Sequence, residues 1–314
     1  MTDSARPPVP PLLVVALGLL VTSTAAILIR YAQAEAPSLV IATWRVGLAS
    51  LALAPVLLAR HRPALRALTH RQFGLALLSG VFLALHFATW ITSLEYTTVA
   101  SSLVLVATTP LFVALIAPLA LQERLTPWVV VGLTVALAGG VGIGLSDACE
   151  WDAGLRCPSA AEFLQGPAVL GDLLALGGAA AGGGYFMIGR RLRRDLPLLP
   201  YIGLSYSAAA LVLAALTAAA GMPLLGYRPA TYLLFIALAL GPQLLGHSSF
   251  NWALRYLPVA FVSIVLLGEP VGSTLLAFLI LGETPGPLKL ISVILVLFGI
   301  YLASRSPGQG RQSG

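Results

Sequence analysis

The chain has 314 residues, 58% of them hydrophobic and only 10% charged, where a soluble domain carries roughly 25% charged residues. Mean hydropathy is +0.92, and apolar runs of about 20 residues, long enough to cross a hydrocarbon core of roughly 30 Å, recur along the whole length. That excludes an ordinary water-soluble domain. The net charge of +6 is spread in short basic clusters between the apolar runs, a pattern that orients a membrane protein and does not call for nucleic acid.

Ten runs read as spans: 11–30, 38–59, 73–92, 98–121, 126–146, 170–189, 198–220, 229–251, 259–281 and 286–304. Nothing alternates at period two over the lengths a membrane barrel needs, so all ten are expected to be helices. The first carries Thr22, Ser23 and Thr24 at its centre, which either line a cavity or bond back to their own helix carbonyls. Ala32-Gln33-Ala34 imitates a signal-peptide cleavage site, but the run is long for a signal core and polar at its middle, so it is read as retained. The second span holds Arg45, a charge that is costly in lipid and therefore expected to face a cavity or a partner. A basic cluster, Arg60, Arg62, Arg66 and Arg71, follows.

The third span places His86 and Trp90 one turn apart. Trp90 is either an interfacial anchor or part of a ligand surface, and His86 either titrates near neutral pH or is satisfied by a neighbouring helix. Pro110 interrupts the fourth span, and Glu123 stands at its end in the interface, where contacts to backbone or an arginine would make it structural. The connection between the fifth and sixth spans contains both cysteines, Cys149 and Cys157. Two cysteines cannot make a four-ligand zinc site, and a disulfide is expected there if the loop lies outside the cytoplasm. Gly177, Gly178, Gly182, Gly183 and Gly184 in the sixth span suit close helix contact. A phosphate loop is not expected, because no strand precedes them. The eighth span carries Gln243, His247 and Asn251 at four-residue spacing, one face of a helix. In the ninth, Glu269 lies near the middle, just before Pro270, and Glu283 ends the span as Glu123 ends the fourth.

With the N-terminus inside, thirteen Arg residues fall on one side of the membrane and only Arg30, Arg156, Arg228 and Lys289 on the other. The positive side is expected to be cytoplasmic, with both termini there. The organisation is then a tail at 1–10, a first repeat at 11–146, an extracytoplasmic linker at 147–169, a second repeat at 170–304 and a tail at 305–314.

The two repeats are visible directly. At a constant offset of 160, Leu94, Tyr96, Val99, Ala100, Pro110, Leu115, Ala117, Leu119, Leu121, Glu123, Pro127, Leu137 and Gly139 meet identical residues, and Arg30 and Pro37 meet Arg190 and Pro197. Five spans per copy is an odd number, so the second copy must enter the membrane inverted. Duplicated hydrophobic halves of this kind mark secondary transporters, with substrate bound between the copies near the midplane. The fold expected is thus an all-α integral membrane protein, ten transmembrane helices in two inverted-topology five-helix repeats.

The stretch from Val99 to Gly139, with Ala100, Pro110, Glu123, Gly132 and Gly139, resembles the EamA repeat of the drug/metabolite transporter superfamily. The second copy supplies Ala260, Pro270, Glu283 and Gly299 and departs at Ser292, where the first has Gly132. Arg45 matches an arginine common in the family's second helix; its counterpart here is Ser205. The resemblance covers about 11–304. It implies a ten-helix, exporter-like carrier of small metabolites in the plasma (inner) membrane, and it implies no particular substrate.

Transport of a small, amino acid-like metabolite by alternating access, with proton coupling through Glu269, is the reading expected of these residues. Glu269, Arg45, Gln243, His247, His86, Trp90 and Thr24 are the candidates for substrate binding or coupling; Arg45 suits a carboxylate or phosphate. Pro110, Pro270, Glu123 and Glu283 are expected to be structural. An intramembrane enzyme or an uncoupled channel is the alternative, and no catalytic motif points to either. No cofactor, metal or nucleic acid is expected; the partners are a small-molecule substrate and the lipid bilayer, and a homodimer stays open.

Overall fold

The structure is a computed structural model that describes residues 7–97, 99–148, 150–151, 155–156, 167–276, 278–279 and 285–305. Cys149, Cys157 and Glu283 lie outside the described residues. Among those described, nine helices are long and apolar enough to cross a membrane: α1 (Pro11–Gln33), α2 (Ser38–Arg60), α3 (His70–Tyr96), α4 (Ser102–Ala120), α6 (Val169–Arg193), α7 (Leu198–Ala219), α8 (Pro229–Ala253), α9 (Val259–Leu276) and α10 (Pro287–Ser304). A shorter apolar helix, α5 (Pro127–Ile143), completes five per repeat. Between the repeats, β1 (Glu150–Trp151) pairs antiparallel with β2 (Leu155–Arg156).

These helices depart in three ways from the continuous α-helices that hydropathy suggests. In α1 the α-helical ladder stops at Thr22 and resumes at Ala25, because the Thr22, Ser23 and Thr24 hydroxyls donate to the Leu19, Leu19 and Val21 carbonyls. In α4 the break falls at Ala107–Thr108, ahead of Pro110; in α9 a 3-10 turn, Leu266–Gly268, precedes Glu269 and Pro270. A proline lacks the N–H and crowds the preceding turn, so the ladder opens there. The third departure is in α8, where Ala239–His247 is π-helical around Pro242. Such widened turns are frequent at functional sites.

The inverted repeat is written into the contacts. The Arg30 guanidinium donates to the Leu94 carbonyl at 3.3 Å, and Arg190 to that of Leu254 at 2.6 Å. Gln33 donates to Ile91 O at 3.1 Å and Arg193 to Asn251 O at 3.0 Å. Every member of the second pair is 160 residues from its equivalent in the first. The end of the first helix in each repeat thus caps the carbonyls at the end of the third.

Counterpart helices also meet across the pseudo-twofold axis. On α5 and α10, a Cβ at Gly139 would lie 2.7 Å from the Ser292 carbonyl, and one at Gly299 would lie 2.6 Å from that of Gly132, the symmetry-equivalent contact. Small residues let the two backbones touch. Gly299→Ala is therefore expected to destabilise the protein by on the order of 1–3 kcal/mol, the cost of overpacking a tight contact. Thermal unfolding in detergent reads this, with Gly74→Ala, a position with open space, as the control.

Candidate functional site

The broken segments converge. A cavity is lined by Thr22 and Ala25 of α1, Arg45 of α2, His86 and Trp90 of α3, and Leu103, Val106, Ala107 and Thr109 of α4. The second repeat adds Phe186 of α6, His247 of α8, and Leu266, Glu269 and Pro270 of α9. The breaks in α4 and α9 thus deliver equivalent positions to the same space: Val106 with Leu266, and Thr109 with Glu269, each 160 apart. Phe87 and His247 are counterparts too, and their rings meet edge to face at 5.3 Å. Residues that touch their own counterparts lie beside the symmetry axis, so the cavity sits where the repeats join.

Arg45 is fully buried. Its Nε donates to Gln243 Oε1 at 3.0 Å, and its guanidinium carbon lies 4.2 Å from the Phe87 ring centroid, a cation–π contact. Nη1 and Nη2 of Arg45 have no hydrogen-bond partner; neither do Gln243 Nε2, Trp90 Nε1 and His247 Nδ1, all buried. Most buried polar atoms in folded proteins are satisfied, and four of these five open atoms belong to residues that line the cavity. Glu269 lines the same cavity and makes no ion pair with Arg45.

His86 is fixed by α6. Its Nδ1 lies 2.8 Å from the Gly178 carbonyl, and since a carbonyl only accepts, Nδ1 carries the proton. A Cβ at Gly182 would come 3.0 Å from that nitrogen, so the glycine run allows α3 and α6 to close. His86 in turn stacks on Trp90, with centroids 5.8 Å apart and planes 22° from parallel.

Of the seven candidates read from the sequence, Arg45, His86, Trp90, His247 and Glu269 line the cavity, and Gln243 holds Arg45 from behind. Thr24 does not reach it; its hydroxyl donates to Val21 O at 2.7 Å, and Thr22 stands in the lining instead. Asn251, the third member of the α8 stripe, donates to Tyr185 Oη at 2.5 Å and to the His247 carbonyl at 2.7 Å, bracing α8 against α6. Pro110 and Pro270 are buried at the two breaks, and Pro270 lines the cavity. Thr109 and Phe87 were not singled out in the sequence, although the offset from Glu269 and His247 points to both.

Glu123 lies at the end of α4. Its carboxylate accepts from Arg190 Nε at 2.6 Å, from Arg194 Nη2 at 3.3 Å and from the Val259 N–H at 3.2 Å. One carboxylate therefore joins the ends of α4 and α6 to the start of α9. At the opposite end of the molecule Glu35, between α1 and α2, accepts from the Thr231 hydroxyl and from Arg228 Nε at 2.6 Å. The Thr231 hydrogen bond first, and then Arg228, hold the Glu35 carboxyl below the usual carboxylate range, so it is ionised near neutral pH and ties the first repeat to α8.

The model of the EamA-like transporter family matches residues 9–145 and 169–305. A solved crystal structure aligns with a TM-score of 0.75 over 94% of this chain and 96% of its own, at 21% identity, a likeness of fold. No curated protein matches the chain.

Proposed function

The chain belongs to the EamA-like transporter family and is a multi-pass membrane transporter, and from that premise we propose a secondary transporter that exports a small, amino acid-like metabolite by alternating access coupled to protons. The observation that carries the reading is the cavity between the repeats, which among the described residues has one arginine and one carboxyl in a largely apolar lining. Few ionisable groups survive at membrane depth without a task. Glu269 is the coupling group: it is the carboxyl in the lining, and its counterpart in the first repeat, Thr109, cannot titrate. One titrating carboxyl per site matches one proton per cycle. His86 and His247 face the same space and are the titratable neighbours against which this assignment is tested.

Three features of the helices support alternating access. α4 and α9 are interrupted at equivalent depths beside the cavity, α8 is widened there, and the ties at Glu123 and Glu35 sit at the two ends. Inverted repeats rock against each other about such a site, and interrupted helices supply the bends.

The test is flux into liposomes holding purified protein, with and without an imposed pH gradient, across a panel of amino acids and related metabolites. A carrier gives saturable, gradient-dependent flux and counterflow; a channel gives neither counterflow nor accumulation. Residence in the plasma (inner) membrane with both termini and the clusters at 60–71 and 190–194 in the cytoplasm completes the proposal. It rests on the thirteen-to-four asymmetry of basic residues. Cysteine-accessibility labelling at Arg62 and Arg191 in intact cells is expected to find both protected; labelling of either from outside overturns the orientation.

A further inference from the structure

The donors left open in the cavity define the chemistry of what enters it. We infer that the substrate is a small amphipathic monocarboxylate whose carboxylate is held end-on by Nη1 and Nη2 of Arg45; this rests on the transport reading above and names its substrate class. With Nε engaged by Gln243 Oε1 at 3.0 Å, the two terminal nitrogens remain, buried and unpartnered. Their spacing in a planar fork matches the two oxygens of a carboxylate. The guanidinium cannot swing away to find another partner, because Gln243 holds one edge and the Phe87 ring lies 4.2 Å beneath its carbon. Leaving a fixed charge with open donors in a buried place is costly, and a bidentate anion removes that cost.

Charge count decides between carboxylate and phosphate. Among the described lining residues Arg45 is the one side chain with a permanent positive charge, and Glu269 shares its cavity. A phosphomonoester brings a charge near −2 and three acceptor oxygens, which one guanidinium opposite a carboxyl does not balance. With Glu269 protonated, a monocarboxylate does balance the guanidinium. The rest of the lining sets the body of the substrate. Leu103, Val106 and Leu266 form an apolar wall, and the stacked His86 and Trp90 rings offer a flat face with a single unpartnered donor, Trp90 Nε1. Such a mostly apolar pocket with a few placed polar groups is what a small amphipathic ligand fits.

The experiment compares three probes with one body on purified, full-length protein in detergent: 3-phenylpropionate, 3-phenylpropionamide and 2-phenylethyl phosphate, by calorimetry. The acid is expected to bind at least roughly tenfold more tightly than the amide or the phosphate, the discrimination of a hydrogen bond to a charged group. Arg45→Gln is expected to erase that preference and Arg45→Lys to retain part of it. Because acid and amide are compared on the unaltered protein, a variant that fails to fold does not blunt the test. Equal binding of acid and amide, tighter binding of the phosphate, or no binding of the acid at millimolar concentration overturns the assignment. Liposome flux separates this from the transport reading. Gradient-driven flux of a non-acidic compound, with no acid preference in binding, sinks the carboxylate and leaves transport standing; acid preference with no flux of any compound does the reverse.

Discussion

Replacing Glu269 with Gln is expected to abolish pH-gradient-driven accumulation in liposomes, bringing it to the level of protein-free vesicles, while substrate counterflow persists. The carboxyl starts the second half of α9, directly after the 3-10 turn, where the Glu269 N–H donates to the Leu266 carbonyl. It lines the cavity with Arg45. Whether it holds a proton therefore depends on how much water and which countercharge the cavity presents, two quantities that change as the repeats rock. Glutamine keeps the size and hydrogen-bonding capacity and removes the titration. Movement of substrate down its own gradient needs no proton, so exchange survives. The same measurement on His86→Gln and His247→Gln is expected to leave gradient dependence in place. Full gradient-driven transport by Glu269→Gln, with the protein monodisperse, would show that the coupling group lies elsewhere.

The second large effect is expected at Glu123. Truncation to Ala leaves the half-buried Arg190 without its 2.6 Å carboxylate and the Val259 N–H without an acceptor. Both side chains of the pair are only 16–17% exposed, so the loss is more than that of a surface ion pair and less than that of a fully buried one. A cost of about 2–3 kcal/mol is expected, from one charge-assisted hydrogen bond lost and one backbone donor left open. Arg194 is half exposed and its 3.3 Å contact adds little. Thermal unfolding in detergent measures this; Glu123→Gln, which can still accept from Val259 N, should recover part of the loss. A Glu123→Ala protein as stable as the parent would mean that solvent takes over both donors and that the tie does not hold α9 in place.

The spans, the repeat and the family were legible from the chain for a simple reason. Hydropathy is a property of local composition, and duplication is a property of order, so neither needs a third dimension. The observed helices begin and end within a few residues of the apolar runs at most boundaries. Arg45 and Glu269 also stood out, because a charge in an apolar run is anomalous whatever it packs against. Helix interruptions were partly legible: Pro110 and Pro270 flagged the breaks in α4 and α9, whereas the break in α1 comes from three consecutive hydroxyls competing for carbonyls, a choice between two readings that the sequence left open.

The composition of the site was decided by packing. Spacing on α8 put Gln243, His247 and Asn251 on one face, yet they have three different neighbours: Arg45, the cavity, and Tyr185. Thr24 was the candidate read from the sequence, and the α1 break turned it away and brought Thr22 in. Trp90 could have been an interfacial anchor; instead it is 4% exposed and stacked on His86, because Gly178 and Gly182 let α6 close on α3. Hydropathy and order along the chain determine that ten apolar helices form in two inverted sets. Which polar groups meet, and which of their hydrogen bonds stay open for a ligand, depends on contacts between residues far apart in sequence, and those exist only once the helices have packed.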